Sequence, residues 1–466
     1  MKTPHRVAII GSDLAGIATA FLLTRQGYEV ILVPAPDSSQ GAGSTHTIAQ
    51  YDLTPDGLLT PASQQHAVYP EASVFFGADR ATLDLLQQLG TASLIDLPLD
   101  LRLQWARSDD TRIAIPRPRG SQSIRAAAFL RFSGLPRGDR WRLLTWFDQE
   151  ANESTAPPAM SDLAPAESWL AQTGQSPTSL STLWYAACRF FHGAPPAGIS
   201  ARTFRTALGR TVFAPHEDTR LGLTASSLEA LLIAPALAHL AASPLTTRSP
   251  SPVEQVRGQD GLVTGLTLAD GATLTADAYV FALPPHHITR LLPDRVLTRS
   301  SYFQHLSQLT WLNRVLIHCR LHDHPVTPRI LLLEDERVAS LLVHPVRHHH
   351  PQEPPTHTVS LIATDHAPLD GIADTEWAAI SRRLIHTKLS PSAATAIQSI
   401  TIIREPYAHV HLAPGSHHLR PLAHSPLPNL FLVGDWTDTD LSPGLESAIL
   451  SARLCSTALT TQLTPS

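Results

Sequence analysis

The residues whose types and spacing suggest chemistry gather at the two ends of the chain. Near the C-terminus, NLFLV (429–433) reads as a short buried strand running into Gly434-Asp435-Trp436-Thr437-Asp438-Thr439. SPGLESAILSA (442–452) then opens a helix. A strand ending in Gly-Asp, with a helix N-terminus two turns later, can set a carboxylate (Asp435) beside a phosphate or a cofactor ring. Backbone N–H groups around Gly444, Leu445 and Glu446 would join it there. An isolated Gly-Asp is usually an ordinary turn. Here the strand–loop–helix context and a partner unit at the other end argue for more. That partner begins with the apolar run from His5 to Ile10, followed by GSDLAG (11–16) as a tight turn. Ile17, Ala20, Phe21 and Leu23 at helical spacing lead to Gly27, and YEVILV (28–33) reads as a second strand.

This is a βαβ start of the kind that binds nucleotides, in which each glycine has a task. The first, Gly11, allows the tight turn, and the third, Gly16, lets helix and strand pack closely. The middle position, which would let a pyrophosphate approach the backbone, is Asp13, and the acid that would close the second strand is Pro34. A carboxylate facing a pyrophosphate costs on the order of one to four kcal/mol for charges about 4 Å apart. Losing a charge-assisted ribose contact costs about 1.5–3 kcal/mol more. Asp37, beyond Pro36, is the nearest replacement acid.

The elements that must position these ends belong to a chain of 466 residues, the length of two or three interleaved lobes. With 43% hydrophobic residues a sizeable core can be buried, while charged residues reach only 16%. A net charge of -5 provides no general basic field, so nucleic acid is excluded as the main partner. Cys188, Cys319 and Cys455 are too scattered for a disulfide framework or a metal knuckle. HPVRHHHPQEPPTH (344–357) is rich in histidine but lacks the carboxylates and helical spacing of a metal site, and no metal is expected. Residues 112–142 hold eight arginines and one acid, Asp139, interleaved with apolar side chains. This suits either a solvated face or contact with a membrane surface. No apolar run reaches 18 residues, and Val7–Ile10 enters a glycine turn without a signal-peptide pattern. The expected location is the cytoplasm, with any membrane contact peripheral and at its inner face. Trp184, Tyr185, Cys188, Phe190 and Phe191 form an aromatic cluster that suits a core or the wall of an isoprenoid tunnel.

Together, GDWTDT…PGLESA, the βαβ start and GLVTGLTLADGATLTADAYVFALPPHH (261–287) resemble the FAD-dependent amine oxidase/phytoene desaturase superfamily. DLPLDLRLQW (96–105), ESWLAQTGQSPTSLSTLWYAACRFFHGAPP (167–196) and IIREPYAHVHLAPGSHHLRP (402–421) look like its squalene-associated branch, the hydroxysqualene dehydroxylases of hopanoid synthesis. The resemblance implies an α/β (α+β) fold, with a Rossmann-like FAD-binding domain of the amine oxidase type and an interleaved substrate domain. The FAD-binding segments would be 1–105, 206–295 and 411–466, and the substrate segments 106–205 and 296–410. By the same resemblance Gly11 and Gly16 would shape the phosphate turn, and Val253 would lie against the adenine. Asp435, after Gly434, would hold the flavin side chain, and the Gly444–Leu445–Glu446 turn would adjoin the ring. The implied reaction is reductive dehydroxylation of hydroxysqualene to squalene.

Two alternatives stand beside this reading, and the departures from the family pattern favour the first. Besides Asp13 and Pro34, GAGS (41–44) lacks the family's pyrophosphate-binding arginine. YPEAS (69–73) replaces its Asp-Asn-Gly-Gln-His stretch, and Ser447 replaces a glycine where a side chain would crowd the cofactor. A cofactor-poor, non-catalytic homologue that binds a partner enzyme or an isoprenoid would carry such changes. A carotenoid-type desaturase would share the fold and differ in substrate and redox direction.

Overall fold

The structure, a computed structural model, describes residues 4–36, 47–54, 59–62, 74–99, 101–107, 112–114, 127, 130, 134–152, 162–322, 324–334, 337–346, 356–365, 369 and 371–463. It is a mixed α/β fold built around two sheets. The first is a five-stranded parallel sheet. Its order across the sheet is Leu430–Leu432, Ala278–Phe281, Arg6–Ile10, Glu29–Val33 and Thr246–Arg248. Three of its strands read as unbroken apolar runs because helices or a second layer cover both faces. Val7 and Ile9 point into a core with the helices Leu14–Arg25, Ala234–Ala242 and Leu445–Leu463. Ala8 and Ile10 point the other way, onto the antiparallel strands Val253–Gln259 and Leu262–Leu268. Leu262–Leu268 forms a hairpin with Thr273–Leu274 across a turn in which Gly271 takes φ 83°.

The second sheet has nine strands. The long strands Trp311–His322, Thr356–Asp365 and Ile397–Val410 lie side by side at its centre. Alternate residues again divide between two cores. Val315, Ile317 and Cys319 pack against the helix Asp374–Lys388. Leu312, Ile330, Leu332 and Leu342 meet the helical layer that includes Tyr185–His192 and Ala201–Thr211. Thr47–Leu53, Leu59–Pro61 and Leu103–Ala106 also join this sheet, so the first 105 residues contribute strands to both sheets.

Among the described residues no helix is long and apolar enough to cross a membrane. Asp37, GAGS (41–44), YPEAS (69–73), most of the histidine-rich stretch and most of 112–142 lie outside the described residues.

Candidate functional site

A cavity of about 1170 Å³ opens where the carboxyl ends of the parallel strands face the nine-stranded sheet. Its wall includes the first turn (Ser12 to Ala15), the end of the second strand at Pro34, and the C-terminal loop from Leu441 to Glu446. The other side is formed by Phe190–Gly193 and by Glu405–Val410.

The first turn folds as its glycines require. Gly11 has φ 103°, and a Cβ there would sit 2.0 Å from the Ala282 carbonyl oxygen. A Cβ on Gly16 would lie 2.5 Å from the Gly11 oxygen and 2.8 Å from the Ala282 methyl. Both glycines thus serve close packing and stand behind the cavity wall. Asp13, in the wall, caps the first helix: its Oδ1 accepts from the Gly16 N–H at 2.9 Å. Burial lifts its pKa from 3.8 to about 7. The Gly16 hydrogen bond opposes that rise and nearby Asp435 adds to it. Val253 is buried, with its N–H 3.4 Å from the Pro34 oxygen, and does not line the cavity; Arg248 and Ser249 do.

In the C-terminal loop, Gly434 takes φ 155° because the Trp436 indole folds back over it; a Cβ would meet Nε1 at 2.3 Å. Asp435 reaches the cavity. Its carbonyl accepts from Arg420 at 3.0 Å and from the Ser447 hydroxyl at 3.0 Å. Ser447 is buried and absent from the cavity wall, so the crowding expected of its side chain does not arise. Arg420 organises this loop. Its buried guanidinium also donates to the carbonyls of Trp436 (3.3 Å), Thr437 (2.5 Å) and Leu441 (2.7 Å).

Gly444, at φ 144°, has open space around its missing side chain and lines the cavity with Leu445. Glu446 also lines it, yet its carboxylate faces the helix Arg80–Leu89. There it accepts from the amides of Ala81 (3.0 Å) and Thr82 (2.8 Å) and from the Thr82 hydroxyl (2.7 Å). Glu446 is therefore the anionic cap of a second helix. Asp79 precedes that helix and lines the cavity. Burial raises its pKa to about 7, and the neighbouring Glu446 charge contributes to the rise.

The nine-stranded sheet supplies residues that the sequence reading missed. Trp311–His322 pairs Arg314 with Glu405, then slips so that Leu312 faces His409. Pro406, Tyr407 and Ala408 stand opposite Asn313 alone and form a bulge in which Tyr407 adopts φ 61°. The bulge brings both Glu405 and His409 to Arg314: Nε donates to Glu405 at 2.5 Å and Nη1 to His409 Nε2 at 2.9 Å. His409 Nδ1 in turn stands 3.5 Å from Asp435 Oδ2. A polar chain thus runs from the nine-stranded sheet to the C-terminal loop. From the helix Tyr185–His192, His192 Nδ1 lies 3.1 Å from the Ser442 hydroxyl. The only sequence signal for His192, Glu405, His409 and Ser442 is their place in segments already noted for family resemblance, and Arg314 has none.

The profile of the flavin containing amine oxidoreductase family matches residues 71–460. The chain belongs to this family. Curated relatives extend along nearly all of it. The 15-cis-phytoene desaturase of an Oncidium hybrid cultivar is 24% identical, over 98% of this chain and 78% of that one. The 15-cis-phytoene desaturase of Synechococcus elongatus is 24% identical over 97% and 95%, and the zeta-carotene desaturase of Synechocystis 25% identical over 97% of each. Among solved structures, cyclohexylamine oxidase from Brevibacterium oxydans superposes with a TM-score of 0.65 at 16% identity, covering 99% of this chain and 100% of that one. A fatty acid isomerase from P. acnes reaches 0.60 at 14% identity, covering 99% of each. At such identities these structures support the fold alone.

For a flavin-containing amine oxidoreductase, the residues at hand fit a flavin dinucleotide with one reservation of chemistry. The open space at Gly444 and the reach of Asp435 suit the ring and its side chain, and Gly11 gives the turn its shape. The volume exceeds the ~300–1,000 Å³ usual for one small ligand, leaving room for cofactor and substrate together. The discordant group is Asp13. With its pKa near 7, its neutral form is well populated at neutral pH, and a neutral carboxyl can donate to a phosphate oxygen.

Proposed function

We propose that this family member is an FAD-dependent oxidoreductase acting on an isoprenoid lipid, in the manner of a hydroxysqualene dehydroxylase. The observation that carries the reading is the single cavity joining the nucleotide turn to the aromatic and aliphatic wall of the nine-stranded sheet side. Reduced flavin, when bound, supplies hydride. Asp435 and the Gly444–Leu445 turn would hold it, Asp13 would meet its diphosphate, and Val253 with Pro34 would support the adenosine end. Phe190, Phe191 and Leu412 would exclude water and contain the polyene. Segments 106–205 and 296–410 would supply most of the substrate side, and 112–142 a peripheral membrane contact.

The names of the curated relatives favour a second reading, a desaturase acting on carotenoid precursors. Product analysis with hydroxysqualene plus reduced FAD, and with phytoene plus oxidised FAD, separates the two. The Asp13 cap favours a third, a cofactor-poor homologue that binds an isoprenoid or a partner enzyme. Protein reconstituted with excess FAD that shows neither yellow flavin absorbance nor a thermal shift would sink both enzymatic readings and leave the third.

A further inference from the structure

Among the described residues, two buried nitrogens on the cavity wall make no hydrogen bond: His192 Nε2, and His409 Nδ1, whose nearest acceptor is the Asp435 carboxylate. Buried polar atoms are nearly always bonded, and an exception on a cavity wall points to a missing ligand. The tautomer of His409 follows from its neighbour. Arg314 has only donors, so its Nη1 makes His409 Nε2 the acceptor and leaves the proton on Nδ1. That N–H stands 3.5 Å from Asp435 Oδ2, at the outer limit of a hydrogen bond. His192 sits among aromatic rings, with Phe204 at 5.8 Å and Phe191 at 6.2 Å between centroids. Burial lowers its pKa to about 3, so its ring is neutral.

We infer that the chain Arg314–His409–Asp435, with the His192–Ser442 pair lining the same cavity, forms a band that binds the single hydroxyl of an otherwise apolar chain. A hydroxyl both accepts and donates, as a histidine N–H beside a carboxylate requires. Glu405 and Asp435 outnumber Arg314 in charge and repel a carboxylate in this place. The inference rests on the isoprenoid reading of the cavity and names the group by which the lipid is read.

The test compares farnesol with farnesene, an alcohol and a hydrocarbon of like skeleton, by calorimetric titration of the full-length protein in one detergent. The expected result is a preference for farnesol of at least about fivefold, the worth of one hydrogen bond. That preference should fall to near one in His409→Phe and in His192→Phe, with Ser442→Ala as a smaller change should either misfold. Equal wild-type affinities, or a preference surviving all three variants, overturn the band while leaving the isoprenoid reading intact. Binding of neither compound overturns that reading and the band with it. Variants that weaken riboflavin but not farnesol assign the band to the cofactor's side chain and overturn a substrate role.

Discussion

Asp13 and Asp79 are the residues where the physical chemistry is most exposed to test. Each is a buried carboxyl held near a pKa of about 7. Between the ordinary value of 3.8 and about 7, the folded state holds protons that the unfolded state releases. Their contribution to stability is therefore complete below pH ~4 and is lost as pH rises towards ~7. Asp13→Asn and Asp79→Asn keep the hydrogen-bond acceptor and remove the titration. The thermal midpoint of the double variant, followed from pH 4 to 8, should fall less with rising pH than that of the wild type. A second prediction concerns the cofactor. A diphosphate beside Asp13 favours its protonated form, so FAD binding should take up a proton. Affinity measured by flavin fluorescence should then weaken above pH ~7, by up to about tenfold per unit. Asp13→Gly should bind FAD more tightly and lose this dependence; an equally steep profile in the variant would place the titrating group elsewhere.

At the level of elements, the C-terminal loop depends on one side chain. Arg420 fills four carbonyls, and its removal leaves them unpaired in a buried place at about 1–3 kcal/mol each. Arg420→Met should lower the unfolding free energy by at least ~3 kcal/mol, read from urea titration, and should weaken FAD binding as the Asp435 backbone loosens. The sequence made the two glycine turns legible because their requirements are local: a strand, a tight turn and a helix within some thirty residues. It concealed the polar chain because Arg314 and His409 lie 95 residues apart and meet only through strand register and a bulge. The carboxylate of Glu446 is equally hidden from sequence. Its role as a helix cap depends on Ala81 and Thr82, more than 360 positions away. Ser447 was misjudged for a related reason: the acceptor that draws it inward is a carbonyl twelve residues earlier.

Across the whole molecule, the interleaving expected from family resemblance takes physical form in the parallel sheet, whose strands come from residues near 6, 29, 246, 278 and 430. The helix Leu445–Leu463 packs on the same core as the helix Leu14–Arg25, so the last segment closes over the first. A chain ending at residue 425 lacks one edge strand and that cover. It should show no cooperative thermal transition and should be cut within its first 30 residues by limited proteolysis that spares the full chain.

The position of the first strand also sets a clock for biosynthesis. Arg6–Ile10 lies inside the sheet, with Ala278–Phe281 on one side, and Val7 pairs with Ala278 in register. At a synthesis rate of about 5–20 residues per second, the strand leaves the ribosome tens of seconds before that neighbour exists. During the wait the N–H and C=O groups along that edge are unpaired and its apolar side chains uncovered, a hazard for aggregation. The nascent chain should therefore engage a holding chaperone early and release it only after the last helix emerges.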